Sequence, residues 1–484
     1  MTLPERTLRL ESVEWSRHQV ALRYSLDGLR FSTANWYPDV DLLGLEERYG
    51  RDFMERLHVH AALFDMNKIA SLRPRWLDLG AYAHHHTRTL ERLWRRVFEK
   101  VWAQWRYENG LPHEPGPEWV SQPVGDGVAP LPRQVRAEEV LLFCGGGKDS
   151  LVSMRLLERA GVPFASFAYA SNIYGSVGQQ FELVNRLLEK GAARRGHRMV
   201  VLEDFMESPV LELYGEQAGV RTLTAAETPC SIFSALPVLL DKGYPWAVLG
   251  HEASANRGNL VWARTGEDVN HQWGKSHEAE RLLNDYVRGE LLSEVGVFSV
   301  LMPIHDVVIF ELLRQEADAL AATHSCNVRK PWCLRCPKCA YVWLSCRAHL
   351  PREPVEAVFG EDLLEVEANA EHFQRMVGLG EHTPFECIGQ VEESRLALAL
   401  CEARGLLGPR GLALARRLPP LVLEPMLEDF LKVDLVHSNL PSAVAAGVVP
   451  RMKAAAAAAR ERFLETLDAP HGLGGTRRAS PTSA

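Results

Sequence analysis

The amino-acid sequence predicts an α/β protein built on a parallel sheet with helices on both faces. Three observations lead there. Short apolar runs, VLLFC at 140–144, Phe164–Ala170, RMVVLED at 198–204 and WAVLG at 246–250, alternate with segments of helical periodicity, as strands buried on both faces do. The first run passes directly into Gly145-Gly146-Gly147 and a helical segment, which reads as strand, turn and helix. The length of 484 residues exceeds one ordinary core, so the sheet is expected to have neighbours.

Taken in order, residues 1–132 read as a small α+β domain with a linker. TLRLESVEW, HQVALRYSL and GLRFSTANWYP alternate like strands, and Asp27-Gly28 between the last two is a hairpin turn. RTLERLWRRVFEKVWAQWRYEN, residues 88–109, has Leu90, Leu93, Trp94, Val97, Phe98, Val101 and Trp102 along one helical face. His84, His85 and His86 are adjacent, but on a helix successive side chains diverge by about 100°, so a solvated or packed run is expected rather than a metal site. No chemistry is expected in this part. The Pro- and Gly-rich stretch 111–133 is the linker. Residues 133–300 form the expected sheet domain, 301–404 a cysteine-rich region, and 405–484 a helical Leu/Ala-rich extension ending in a disordered tail at 469–484.

Composition narrows the function. With 46% hydrophobic and 24% charged residues the chain has the balance of a soluble globular protein. A formal charge of −8 offers no general field for nucleic acid, so none is expected as a partner. No run of apolar residues is long enough to span a membrane, and the charged first residues lack an apolar leader core. A cytoplasmic location follows as an expectation. The sequence carries no indication of oligomeric state.

The candidate cofactor site is Gly145, Gly146, Gly147, Lys148, Asp149 and Ser150. Glycines allow the backbone to approach an anion, and the N–H groups of the following helix start can hold phosphate. Lys148 can neutralise charge, Ser150 can donate a hydroxyl and Asp149 can hold Mg²⁺. In a Walker A loop Lys is followed directly by Ser or Thr, whereas Asp149 follows Lys148 here. A dinucleotide fingerprint would need Gly in place of Ser150. The segment resembles the pyrophosphatase loop S-G-G-x-D-S, with Gly145 in place of the first Ser. That resemblance implies an ATP-consuming enzyme that adenylates a carboxylate, carbonyl or amide and releases pyrophosphate, on an adenine nucleotide α-hydrolase-like fold.

Four of nine cysteines, Cys326, Cys333, Cys336 and Cys339, are spaced C-x6-C-x2-C-x2-C. Four thiolates suit a closed, structural Zn²⁺ site; the alternative is a set of reduced, packed thiols.

GGGKDSLVS (145–153), GEDVNHQWGKSHEAE (266–280), HSCN (324–327), WCLRCPKCAYVWL (332–344) and PFECIGQVEESR (384–395) together resemble the MurL family of UDP-N-acetylmuramoyl-L-alanyl-L-glutamate epimerases. The resemblance runs from about 140 to 400. It implies an ATP- and Mg²⁺-dependent inversion of the terminal L-glutamate of a UDP-muramoyl dipeptide in peptidoglycan synthesis. Candidate acid and base residues are His251, Glu252, His271 and Cys387, with Glu386 beside them. Arg257, Lys275 and Arg395 are candidates for holding carboxylates or diphosphate. Two other readings remain: another adenylating enzyme of the same loop class, acting on tRNA or a nucleobase, and a nucleotide-binding module without turnover.

Overall fold

The computed structural model describes residues 5–132 and 138–468; the tail expected at 469–484 lies outside the described residues. Ten strands form one mixed sheet. In chain order the strands are β1 (Thr7–Trp15), β2 (Gln19–Leu26), β3 (Leu29–Trp36), β4 (Trp76–Asp78), β5 (Glu118–Trp119), β6 (Val140–Phe143), β7 (Phe164–Ser171), β8 (Gly196–Glu203), β9 (Trp246–Leu249), β10 (Leu260–Trp262), β11 (Glu267–Val269) and β12 (Gly296–Ser299). Strands β10 and β11 make a separate two-stranded ribbon, and the large sheet runs β12-β9-β6-β7-β8-β3-β2-β1-β4-β5.

The first five strands of that order are mutually parallel. The apolar runs read from sequence are four of them. The fifth, β12, was not among the runs read from sequence, because GVFS is only four residues long and wholly buried. An α/β architecture is present, but the sheet is mixed rather than all parallel. Strand β3 pairs antiparallel with β8, Thr33 opposite Glu203 and Trp36 opposite Val200. The N-terminal strands thus cover the edge that β8 would otherwise expose.

Local rules explain the hairpins. Asp27 and Gly28 have φ of 47° and 87°, the positive values a two-residue turn needs to match strand twist. In β1, Leu8 and Leu10 point inward, and a register shift between Leu10 and Ser12 brings Val13 rather than Ser12 to the buried face. The helix Arg88–Asn109 starts at Thr87, whose hydroxyl accepts from Leu90 N at 3.2 Å, and stops at Gly110 in the left-handed region. Its buried face includes Leu90, Trp94, Val97, Phe98 and Trp102. Val101, expected on that face, is only half-buried. The short strands β4 and β5 were illegible in sequence, since pairs this brief carry no period; β5 falls within the Pro/Gly-rich stretch read as linker.

Beyond the cysteine region, the helix Ser442–Asp468 packs on the helices Lys148–Arg159 and Asp306–Arg314. Gly447 makes the approach close: a Cβ there would lie 2.7 Å from Ala160 Cβ. The extension therefore buries the helix that the glycine loop opens. Among the described residues, no helix is long and apolar enough to cross a membrane.

Candidate active site

Strands β7 and β9 flank β6 on opposite sides, so the connections leaving β6 diverge and open a crevice beyond its carboxyl end. Ligands of open α/β sheets bind at such switch points. The glycine loop lies there, and beside it is a cavity of about 510 Å³. Its walls come from Phe143, Cys144 and Gly145 at the end of β6, Phe167 and Tyr169 of β7, and Glu227 and Thr228 of the helix Glu227–Lys242. Further wall residues are His271 and Lys275 after β11, His324 before the cysteine knuckle, Lys330 and Lys338 within it, and Glu386 and Cys387.

The six loop residues divide by role. Gly145 borders the cavity, and a Cβ built on it meets nothing within 4 Å; there is room for the serine usual in such loops. Gly146 has φ +86°, and a Cβ there would lie 1.9 Å from His324 Cε1. Only glycine allows this backbone to pass the ring. At Gly147 a Cβ would come within 2.7 Å of Ser325 Oγ. Ser150 Oγ accepts from Gly145 N at 3.1 Å, so this hydroxyl holds the loop's shape. Lys148 is buried, its Nζ bonded to Asp149 at 2.6 Å and to Asp306. Burial alone would depress the ammonium, but Asp149 and Asp306 outweigh it and raise its pKa. Asp306 in turn accepts from Tyr341 Oη at 2.9 Å. A buried cation needs such a counter-charge, so Lys148 lies behind the loop rather than free in the cavity. Asp149 keeps 39% of its side chain exposed.

His251 and Glu252 do not join His271 and Cys387 in the cavity wall. Glu252 is buried behind the loop, where Oε2 accepts from Ser254 N at 2.6 Å. Its pKa is raised well above the carboxylate range, first by burial, then by Asp306 and Glu393. His251 Nδ1 is buried without a hydrogen-bond partner, and burial pushes its pKa down to about 3. Adjacency in sequence after β9 could not distinguish an inward-facing pair from a cavity-facing one. Arg257 pairs with Asp429 of the C-terminal extension at 2.5 Å, and Arg395 Nε donates to Val377 O at 2.8 Å. Lys275 is the one of the three proposed cations that faces the cavity.

His271, Lys275, Glu386 and Cys387 do come together. Lys275 Nζ donates to Cys387 Sγ at 2.8 Å. His271 Nε2 lies 4.0 Å from the same sulfur, and His271 Nδ1 donates to Gln104 Oε1 at 2.7 Å. Nδ1 carries a proton toward Gln104, so Nε2 is the ring nitrogen that faces the sulfur. Glu386 Oε2 accepts from the Cys387 backbone N–H at 3.1 Å. Burial would raise the Cys387 thiol, but Lys275 foremost, then Lys338 and His271, hold it well below the ordinary thiol range. A thiol favoured in this way toward its thiolate is suited to take or return a proton. Gln104 belongs to the N-terminal helix Arg88–Asn109, a part expected to carry no chemistry. The signal missed is that Val101 and Gln104, one turn apart, sit on a face that only tertiary packing turns toward the site.

Cys326, Cys333, Cys336 and Cys339 have sulfur atoms within 4.8 Å of one another. Cys326–Cys336 and Cys333–Cys339 are each 3.9 Å apart, against about 3.8 Å for the edge of a tetrahedron with 2.3 Å Zn–S bonds. Backbone N–H groups of Arg329, Arg335 and Cys339 donate to three of the sulfurs at 3.4 Å, which suits thiolates better than thiols. The donor set fits structural Zn²⁺. Lys330 and Lys338, which the sequence did not single out, lie within this knuckle and line the cavity. Burial foremost, then Lys338, lowers the Lys330 ammonium to about 8, since neighbouring cations disfavour each other's charge.

The chain matches the family model for the MurL N-terminal domain over residues 12–189 and 224–300, and that for the MurL C-terminal domain over 320–406. It belongs to the MurL family. Proteins named UDP-N-acetyl-alpha-D-muramoyl-L-alanyl-L-glutamate epimerase are similar to it. That of a Micromonospora species is 33% identical over 320 residues, 63% of this chain and 66% of the relative. That of Salinispora tropica is 33% identical over 318 residues, 63% of this chain and 64% of the relative. That of Xanthomonas oryzae pv. oryzae is 30% identical over 275 residues, 54% of this chain and 57% of the relative. In each case the match spans less than two thirds of the relative. No solved structure matches the chain. The MurL matches hold the glycine loop, Gln104, His271 and the four knuckle cysteines; Cys387 and Glu386 also fall within them, and the extension from 407 onward does not.

Proposed function

We propose that this MurL-family chain inverts the terminal L-glutamate of UDP-N-acetylmuramoyl-L-alanyl-L-glutamate in an ATP-dependent reaction of peptidoglycan synthesis. The observation that carries the reading is one cavity bounded by both the glycine loop and the Cys387–His271–Lys275 group. An enzyme that only adenylates needs the first; inversion at carbon needs the second as well. The names of the relatives in three organisms agree with it.

The residues present fit ATP. Gly145 offers open backbone, His324 Nδ1 is buried without a partner, and Lys330 and Lys338 bring positive charge to the same cavity. Mg²⁺ prefers oxygen ligands, and Asp149 has an exposed carboxylate at the loop; bound there, the ion would neutralise phosphate charge. Zn²⁺ in the cysteine knuckle would be structural and would hold Lys330 and Lys338 in place.

The chemistry follows from acidity. The α-proton beside a free carboxylate is hard to remove because the product is a dianion. If the α-carboxylate oxygen attacks the α-phosphorus of ATP, pyrophosphate leaves and an acyl-adenylate forms. Its carbonyl accepts the electron pair freed when the α-proton departs. The Cys387 thiolate, paired with Lys275 and His271, takes that proton. Tyr174, which lines the same cavity and whose hydroxyl donates to Glu227, is the candidate to return one. Water then cleaves the acyl-adenylate to D-glutamyl product and AMP, so each inversion consumes one ATP and one water.

The test is reaction in D₂O with ATP and the muramoyl dipeptide, followed by chiral analysis of glutamate. Deuterium at the α-carbon, D configuration and stoichiometric pyrophosphate are expected. A product that stays L-configured and gains an amide or sulfur would refute the proposal in favour of another adenylating enzyme. ADP and phosphate in place of AMP and pyrophosphate would refute the loop assignment.

A further inference from the structure

The adjacent histidines of the N-terminal part take no share in the cavity, yet the fold gives them a specific setting. The helix Arg51–Met66 carries Asp52 and Glu55 one turn apart. The short 3₁₀ segment Gly80–His85 packs against it and ends in His84 and His85. Their rings do not diverge as helical spacing suggested: the centroids are 4.0 Å apart. His84 Nε2 is 3.2 Å and His85 Nε2 is 3.0 Å from the same oxygen, Glu55 Oε1. His84, His85 and Asp52 present donor atoms within 4.8 Å of one another. His86 is directed elsewhere, stacked on Trp119 with Nδ1 2.8 Å from Ser121 Oγ.

Counting protons exposes a conflict. His84 Nδ1 is 3.1 Å from Ala81 O, and a carbonyl oxygen only accepts, so Nδ1 carries the ring proton. Nε2 of the neutral ring is then a lone pair, and it faces a carboxylate oxygen that also only accepts. Two acceptors at this distance need a proton or a metal ion between them: either His84 is an imidazolium paired with Glu55, or a metal ion is held by both. Separations of 3.0 and 3.2 Å are close to the edge of about 3.3 Å between ligands of a tetrahedral ion with bonds of about 2.0–2.1 Å to nitrogen and oxygen. The bond from Nδ1–H to a backbone carbonyl is also the support that orients metal-binding imidazoles.

We infer that His84, His85 and Asp52, with Glu55 against both rings, form a second metal site, separate from the cysteine knuckle, for a divalent transition ion such as Zn²⁺ or Ni²⁺. Imidazole and carboxylate donors suit these ions over Ca²⁺ or Mg²⁺. The ion would clamp the 3₁₀ segment onto the helix that also supplies Phe64 and Asp65 to a smaller pocket sharing Tyr169, Tyr174 and Glu227 with the main cavity.

The two sites are separable by spectroscopy and by mutation on the full chain. After chelation and reconstitution with Co²⁺, the thiolate site should give intense sulfur-to-metal charge transfer in the near ultraviolet. The histidine site should add only weak visible bands. Wild type should take up two equivalents. His84→Ala, at an exposed position, should take up one and keep the charge-transfer band, which also verifies that the variant is folded. Asp52→Asn should weaken the second equivalent at least about tenfold, and Cys336→Ser should retain it. Zn²⁺ should raise the melting temperature of wild type more than that of His84→Ala. Uptake of a single equivalent by wild type, or an unchanged second equivalent in His84→Ala, would overturn the inference: the first would mean that a proton alone bridges His84 and Glu55.

Discussion

Replacing Gly146 by alanine tests whether the glycine loop acts through its backbone shape. At φ +86° an L-residue pays about 1–2 kcal/mol. The new Cβ would also sit 1.9 Å from His324 Cε1, and the ring cannot simply slide away, because His324 N donates to Gly146 O at 2.8 Å. Forced overpacking of this kind costs about 1–3 kcal/mol. The sum is about 2–5 kcal/mol of strain in the ligand-ready loop. A loop that relaxes out of that shape binds nucleotide more weakly by the same amount. At about 1.4 kcal/mol per tenfold, ATP affinity should fall by roughly 30-fold to several thousand-fold. Gly145→Ser is the paired control, because a Cβ there meets nothing; it should bind ATP as well as wild type or better. Calorimetric titration with ATP and a pyrophosphate-release assay read both variants. If Gly146→Ala binds ATP within about threefold of wild type, the loop does not hold phosphate by its backbone geometry.

Other outcomes follow from single contacts. Cys387→Ser should still convert ATP to AMP and pyrophosphate with the dipeptide but should lose α-deuterium incorporation, since the thiol acts after adenylation; loss of both together would contradict that order. Because Lys275 is the foremost influence holding the Cys387 thiol down, Lys275→Met should move the pH profile of Cys387 alkylation upward, read by mass spectrometry after iodoacetamide. Cys336→Ser should lose the knuckle zinc, measured by metal analysis, and should lose stability with it. Glu280 is buried beside Ser299 and Asn439, and burial outweighs their hydrogen bonding and raises its pKa to about 7. A raised carboxyl holds its proton in the folded state while the unfolded chain has released it, so its cost grows as pH rises from about 4.5 to about 7 and persists above. Glu280→Gln should therefore be more stable than wild type at pH 8, by up to about 3 kcal/mol on the shift, with the gain vanishing below about pH 4.5 in urea titrations.

Local signals in the sequence were enough for much of this protein. Strands β6, β7 and β9 were legible because parallel strands buried on both faces read as unbroken apolar runs, and β8, exposed on one face, by its short run at 199–202. The turn at Asp27-Gly28 and the helix from Arg88 to Asn109 were legible because turn chemistry and caps act within a few residues. The glycine loop and the four cysteines announced themselves by spacing, since both chemistries need their groups close along the chain. Long-range contacts decided the rest. That β3 would pair with β8 depends on an edge more than 150 residues away. That His251 and Glu252 turn away while His271 meets Cys387 depends on which side of a loop packs inward, and neighbouring residues do not encode it. Gln104, Lys330 and Lys338 are ordinary polar residues until the fold turns them toward one cavity. Lys148, read as a phosphate ligand, lies behind the loop with Asp306, because a buried ammonium takes the nearest carboxylate, and only the folded chain determines which one that is.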